Sequence, residues 1–465
     1  MKEKKIFLFL LDGVGLRNFA YSKFNEVGTK RNFNIVFWNK TVFPIDSLGF
    51  QEMKLDNIKL HPFTDVLKIV KTRVSLNLFI KRTQDTVYES YKFKLSYKSL
   101  KASVKSTISK ILIWMFTSEK GLVFLDKAIH YFERKTAYYK YCKEILETEK
   151  PEMIFCTSQR HIQSVAPLLA AKDLYIPTAS FIFSWDNLPK ATMIVDTDYF
   201  FVWSEHMKAE ILFYYPTIKA HQVIVTGTPQ FEIHFDKESL LSKEAFFKEH
   251  GLDINKKYIC FSGDDITTSP DDPKYLEDLA MAVERMNKKE YNLGIVFRRC
   301  PVDFSKRYDE VLHKYADIIV PIDPLWKPFS SHWDTILPTK EDGILFSNIA
   351  EHTEMVVNLG STTVFDFVSH HKPCGYFRYN QKIQADTKWD IFKCYKFVHF
   401  RSMESKDSII WLDSPEDIDQ KIAVVLDNKH QKNLDAANQW FGKINQFPPQ
   451  LASERIWNAI NEICN

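Results

Sequence analysis

Two stretches of the chain carry short apolar, β-branched or aromatic runs that alternate with segments of helical period. Such runs are the pattern of strands buried on both faces of a parallel sheet. The first stretch predicts strands at Lys5–Leu11, Asn34–Trp38 and Ile58–Phe63, with a helix from Phe19 after the loop DGVGLRN. From about Asp65 to Leu146 the pattern turns helical and polar. A clear strand–helix series resumes at Glu152–Cys156, with a helix over His161–Lys172 and strands at Ile176–Trp185, Asp198–Trp203 and Gln222–Thr226. Ser204 is placed to cap a helix over 204–215. The polar segment Asp236–Asn255 reads as a helix and linker. A second series then predicts strands at Lys257–Phe261, Leu293–Phe297 and Asp317–Val320, a weaker one at Gly343–Phe346, and a helix containing Leu279–Met286. It closes on EMVVNLGSTTVFDFVSHHKPCGYF, where Met355–Leu359 is a strand, Gly360 ends it, a helix follows, and Lys372-Pro373 leads into the strand CGYF. After Asp427 the pattern is helical apart from Pro448-Pro449, with a last helix over Ala452–Ile463. Alternation of this kind implies doubly wound parallel sheets with ligands at the carboxyl ends of the strands.

The turn after Leu359 is the chemically densest point. Exposed N–H groups, a helix start and the hydroxyls of Ser361, Thr362 and Thr363 converge beside Gly360, a set that suits phosphate. An ordinary strand–turn–helix with a hydroxyl cap fits the same spacing. Asp366, one turn on, offers a carboxylate to ribose hydroxyls.

Gly-Ser-Thr-Thr, an acidic residue three positions on and a Lys-Pro before the next strand resemble the donor half of GT-B glycosyltransferases. In that superfamily this loop and helix hold the diphosphate and ribose of a nucleotide-sugar. The string Ser-Thr-Thr-Val-Phe-Asp-Phe also resembles the CDP-glycerol polyol-phosphate transferases, which share the architecture. FSWDN, TDYFFVWSEHMKAEI and HQVIVTGTPQFE are similar to the end of the first Rossmann-like domain of bacterial surface-polysaccharide transferases. The resemblance spans about 150–235 and 257–380, and reaches the first 150 residues only through the opening strand. It implies two Rossmann-like, doubly wound α/β domains facing a cleft, with a C-terminal helix crossing back to the first domain. The expected division is 1–240 as acceptor domain with a helical basic insertion at about 65–146, 241–435 as nucleotide-donor domain, and 436–465 as crossover helices.

The resemblance also supplies roles. Gly263 and Asp264 match the first donor-domain loop. Arg298, at a strand end, is placed for a charge-assisted phosphate contact or for plain solvent exposure. FRRCPVD is similar to the family's Arg-x-His-Pro pattern with Cys300 where His is frequent, which removes any His role there. An inverting transfer needs a base from the N-terminal side. Asp12, at the end of the first strand, is one candidate. His161, similar to the N-domain His of the polyol-phosphate transferases, is the other. Arg17, Trp185, Asp186 and Asn187 are expected to line the cleft, with Trp185 stacking on a sugar.

Length and charge narrow the classes. At 465 residues the chain suggests two domains of about 200 residues. A net charge of +3 is far too small to argue for nucleic acid. Seven scattered cysteines without a C-x-x-C pair indicate a reducing compartment, without disulfides or structural zinc. The opening MKEKKIFLFLLDG imitates a signal peptide, but its apolar run meets Asp12 after six residues. Asp196-Thr-Asp198 matches the metal-binding D-x-D string of the other large glycosyltransferase class, yet precedes a buried strand in the wrong domain, so no metal is expected. The stretch Tyr91–Ser118 carries six lysines and no acidic residue, then an apolar, Trp-containing run. That composition fits a surface lying on anionic lipid, and equally a solvated helix followed by a core segment.

The expected activity is metal-independent transfer of a sugar from a nucleotide-sugar to a cell-surface glycan or lipid-linked acceptor. No cofactor beyond the nucleotide-sugar co-substrate is expected, and no nucleic-acid partner. The expected location is the cytoplasm, peripheral on the inner membrane face. Polyol-phosphate transfer from CDP-glycerol or CDP-ribitol, nucleotide-sugar epimerisation and non-catalytic nucleotide binding remain as alternatives.

Overall fold

The computed structural model describes residues 4–56, 58–329 and 335–465. The chain forms two compact units, Met1–Pro229 with Ile444–Asn465, and Gln230–Lys443.

The first unit is built on a seven-stranded parallel sheet. Its strands are β1 (Lys4–Leu10), β2 (Phe33–Asn39), β3 (Gln51–Lys54), β4 (Met153–Cys156), β5 (Thr178–Phe181), β6 (Tyr199–Val202) and β7 (Val223–Val225), in the order β3-β2-β1-β4-β5-β6-β7. Ile6–Leu10 are fully buried, as a central parallel strand covered on both faces requires. The predicted strand at Ile58–Phe63 is a correction: that segment is irregular, and the third strand lies earlier. Gln51–Lys54 is a half-exposed edge strand in which Met53 is the one apolar residue, so its sequence has no apolar run to reveal it. The insertion holds helices at Thr64–Thr83, Leu100–Phe116, Glu119–Glu133 and Ala137–Glu149. Ser204 caps the helix Glu205–Tyr214 as predicted, its Oγ accepting from the Met207 amide at 3.3 Å.

The C-terminal helix Ala452–Ile463 belongs to this first unit. Trp457 is fully buried between Phe24 and Phe33, and its indole N–H donates to the Phe24 carbonyl at 2.7 Å. Arg31 adds contacts to Glu454 and Asn458, and Arg455 Nε donates to the Thr226 carbonyl at 2.6 Å, so an aromatic anchor and polar contacts together fix the return of the chain to its first domain.

In the second unit six parallel strands follow the order β10-β9-β8-β13-β14-β15. They are β8 (Lys257–Ser262), β9 (Leu293–Arg298), β10 (Ile319–Pro321), β13 (Val356–Asn358), β14 (Cys374–Phe377) and β15 (Ile410–Leu412). A separate antiparallel pair joins β11 (Lys327–Pro328) to β12 (Ile336–Leu337). The helix Asp272–Asn287 covers one face, burying Leu276, Leu279, Val283 and Met286 against Ile259, Phe261 and Ile295. Gly343–Phe346, predicted as a weak strand, lies inside the helix Lys340–His352. Thr339 caps that helix, and Glu341 and Asp342 sit in its first turn, where a helix dipole favours them. All seven cysteines are free, and among the described residues no helix is long and apolar enough to cross a membrane.

Candidate functional site

In the first unit β1 is paired with β2 on one side and β4 on the other, which makes the space beyond the ends of β1 and β4 the topological switch point of the sheet. The loops leaving those two strands carry Asp12 and His161. The structure brings the two candidate bases into one hydrogen-bonded pair, with His161 Nε2 2.7 Å from Asp12 Oδ2. Asp12 Oδ1 accepts from the Gly15 amide at 2.8 Å, so Asp12 is also the cap of the helical turn that begins at Gly13. That turn, continued over Leu16–Ala20, occupies the segment predicted as an open loop.

Burial acts to raise the Asp12 carboxyl, but the hydrogen bond and charge of His161, the Gly15 amide and Arg160 outweigh it and hold the group below its ordinary range. An ionised Asp12 is an acceptor only, so the ring hydrogen of His161 must lie on Nε2. Nδ1 is then the lone-pair nitrogen, and among the described residues it has no hydrogen-bond partner. Both side chains stay partly open, at 20% for His161 and 16% for Asp12.

Sequence reasoning missed what holds this pair. Gln159 is fully buried; it accepts from the Phe183 amide at 2.9 Å and donates to Asn187 Oδ1 at 3.2 Å and Thr192 Oγ1 at 3.0 Å. It staples the loop after β4 to the loop after β5, immediately before Arg160 and His161. The Arg160 guanidinium lies 3.8 Å from the Phe183 ring centre and 3.8 Å from Asp12 Oδ2.

The other predicted cleft residues divide. Trp185 is a correction: it is only 4% exposed, so its indole face is not presented for stacking on a sugar. Asn187 is buried in the Gln159 network. Asp186 pairs with Lys190 and accepts from Asn187 at 2.8 Å. Arg17 is half-buried and donates from Nε to Asn18 Oδ1 at 3.2 Å. Within the D-x-D string, Asp198 accepts from the Thr178 amide at 2.9 Å and hydroxyl at 2.6 Å, fixing the start of β5.

The second unit has its own switch point, since β8 pairs with β9 on one side and β13 on the other. The loops leaving β8 and β13 carry Gly263-Asp264 and Gly360–Thr363. Gly360 has φ +69°, the left-handed region that favours glycine. A side chain at Gly263 would meet Tyr308 Oη at 2.9 Å, so that glycine is required by packing. The loop consumes part of its own polar inventory. The Ser361 amide donates to Asn358 Oδ1 at 2.9 Å, Asn358 Nδ2 donates to Thr363 Oγ1 at 2.7 Å, and Ser361 Oγ accepts from the Thr363 amide at 3.4 Å. The Thr362 hydroxyl alone of the three has no such bond among the described residues.

Beside that loop lies an acidic pair. The Asp264 amide donates to Asp272 Oδ2 at 3.0 Å, and Tyr308 donates to the same oxygen at 2.6 Å. Asp264 Oδ2 is buried and has no hydrogen-bond partner among the described residues. Burial first, then the charges of Asp272 and Asp265, push the Asp264 carboxyl well above its ordinary value.

Two predicted donor contacts are redirected. Arg298 is 6% exposed and its Nη2 is held by both oxygens of Asp342, at 2.8 and 2.9 Å. It is neither solvent-exposed nor a free phosphate ligand, and among the described residues its buried Nη1 has no hydrogen-bond partner. Asp366 gives Oδ1 to His234 Nε2 at 2.9 Å. His234 Nδ1 lies 3.0 Å from His370 Nε2, and His370 Nδ1 lies 2.7 Å from Glu351 Oε2. Three contacts in series between two ionised carboxylates need three ring hydrogens, one more than two neutral imidazoles carry. Burial and the charge of His234 push His370 down to about 4, against the opposing pull of Glu351 and Asp366, so a second added proton is resisted. Neither His234 nor His370 falls in a pattern that sequence could single out.

No protein-family model matches the chain, and no curated protein sequence matches it. Solved structures do match in fold. The UDP-GlcNAc 2-epimerase of Neisseria meningitidis, solved bound to UDP-GlcNAc, has a TM-score of 0.56 at 11% identity, over 98% of this chain and 100% of that one. A glycosyltransferase of Rickettsia africae has a TM-score of 0.52 at 11% identity, over 100% and 99% of the two chains. The UDP-GlcNAc 2-epimerase of Methanocaldococcus jannaschii has a TM-score of 0.52 at 13% identity, over 98% and 99%. What this chain shares with them along nearly its whole length is the architecture, two Rossmann-like units of the GT-B type.

Proposed function

We propose that the protein is a GT-B glycosyltransferase that moves a sugar from a nucleotide-sugar to a cell-surface glycan acceptor without a metal. The observation that carries this reading is the Asp12–His161 pair at the switch point of the first sheet, with Nδ1 of His161 bonded to none of the described residues. An oriented imidazole of this kind serves a reaction that removes a proton from a hydroxyl. In the reaction the acceptor oxygen bonds to the anomeric carbon and its proton passes to His161 Nδ1. The bond from that carbon to the diphosphate oxygen breaks, and the nucleoside diphosphate leaves. The loops after β8 and β13 take the nucleotide, with the Thr362 hydroxyl donating to phosphate oxygens as charge develops on them.

The test is acceptor dependence. A thermal-shift screen over UDP-, GDP-, CMP- and CDP-linked donors, beginning with UDP-GlcNAc, identifies the donor, because binding stabilises in proportion to RT ln(1 + [L]/Kd). Release of nucleotide is then followed with and without a panel of glycan acceptors. Release that rises only with acceptor is the expected result. Sugar isomerisation without acceptor would replace this reading with an epimerase of the same fold, and binding without consumption would replace it with a nucleotide-binding protein.

A further inference from the structure

The helix Leu100–Phe116 is turned inside out. It buries Ser106 and Ser109, whose hydroxyls donate to the carbonyls of Ser96 at 2.6 Å and Lys105 at 2.8 Å. Its outward side carries Leu100, Val104, Ile108, Ile111 and Met115, exposed by 83, 52, 42, 53 and 58%, and Trp114, exposed by 83%. Those positions recur at helical spacing, so they form one largely apolar stripe about 120° wide on the helical wheel, with Thr107 its one polar member. Water selects the opposite arrangement, and a continuous exposed stripe marks a surface that meets something else.

The rim identifies what. Lys101 borders the stripe on one side and Lys110 on the other, both exposed, while Lys105 is paired with Asp65. No acidic residue occurs between Glu89 and Glu119. A second copy of this chain would set these lysine rims against their own like across a two-fold axis, which is unfavourable. Trp114 lies near the C-terminal end of the stripe, and indoles favour the headgroup level of a bilayer. We infer that this helix docks in the plane of an anionic bilayer, with the stripe among the acyl chains and Lys101 and Lys110 at the headgroups. This surface lies in the helical insertion and stands independently of the activity proposed above.

The experiment uses the full chain and sedimentation with vesicles of phosphatidylcholine alone or mixed with phosphatidylglycerol. Binding to the mixed vesicles is expected, weakening as salt is raised and much weaker on the neutral ones. Each lysine near such a surface is worth about fivefold in partitioning, so Lys101→Gln with Lys110→Gln weakens binding about 25-fold. Ile111→Ser with Trp114→Ser abolishes it. All four side chains point to solvent, and an unchanged melting temperature confirms that the variants are folded. Absence of binding to the mixed vesicles, equal binding to both compositions, or equal sedimentation of parent and variants would overturn the inference. So would a dimer in light scattering that the Ile111/Trp114 variant dissolves while no vesicle is bound.

Discussion

Replacing Asp12 with Asn separates the roles within the Asp12–His161 pair more sharply than removing either side chain. Asn keeps the size of Asp, and its carbonyl oxygen can still accept from the Gly15 amide, so the cap is retained; Asn and Asp are nearly equal at such positions. What changes is the group facing His161. The carboxylate oxygen, 2.7 Å from Nε2, becomes an amide –NH2, a donor. To satisfy it His161 must present Nε2 as acceptor, which moves the ring hydrogen to Nδ1 and removes the lone pair proposed to take the acceptor proton. General-base catalysis contributes about 10²–10⁴-fold, or about 3–5 kcal/mol of barrier. Asp12→Asn should therefore lower kcat by that factor while donor affinity by calorimetry and the melting temperature change little. His161→Gln, which can donate to Asp12 but offers no basic nitrogen, should lose as much, and the double variant no more than either single one because the two act as a unit. An Asp12→Asn variant that keeps nearly full turnover while His161→Gln loses it would reduce Asp12 to a helix cap. Near-full activity in both would place the base elsewhere and sink the reading.

Three further outcomes test the second unit. Thr362→Val should lower nucleotide affinity with unchanged stability, whereas Thr363→Val takes the nearer acceptor from the buried Asn358 amide, leaving it only Cys374 Sγ, and should cost about 1–3 kcal/mol of stability in denaturant titration. Equal effects of the two would show that the hydroxyls are not divided as described. Because His370 is held near 4 in the fold and an unfolded His titrates near ~6.5, the unfolded chain binds more protons between those values. Stability should rise with pH across that window, by up to about 3 kcal/mol from this residue, and His370→Gln should flatten the slope in denaturant titrations at stepped pH. For Asp264 the sign is reversed: its carboxyl is raised, so the fold loses stability as pH climbs from the ordinary carboxyl range. Asp264→Asn should then raise the melting temperature of the ligand-free protein at neutral pH, and a lower one would mean that the carboxyl is better accommodated than its neighbours imply.

Elements whose signal is local were legible from the order of residues. β1, β2, β9 and β14 lie where apolar runs place them, because a strand covered on both faces must be apolar throughout. Ser204 as a cap and the helix Ala452–Ile463 were equally legible. Where the signal was weak the reading failed: the polar edge strand Gln51–Lys54 has one solvated side, and GILF at 343–346 is too short a run to tell strand from buried helix. The loops of the second switch point were legible as a motif, but not how they spend their polar groups. Tertiary structure alone decided partners. Asp12 and His161 stand as alternatives in the sequence, 149 residues apart, and become one pair because β4 inserts next to β1. Asp366 reads as a ligand for ribose until His234, 132 residues away, is found on its oxygen. Trp185 reads as a stacking platform for a sugar and Arg298 as a phosphate contact or an exposed arginine, and the fold buries both. Likewise the lysine-rich stretch does not reveal which side of Leu100–Phe116 meets solvent, and the fold leaves Leu100, Val104, Ile111 and Trp114 exposed. Periodicity records which side of an element avoids water, whereas strand order and the docking of helices decide which side chains meet, and those depend on contacts that no local window of sequence contains.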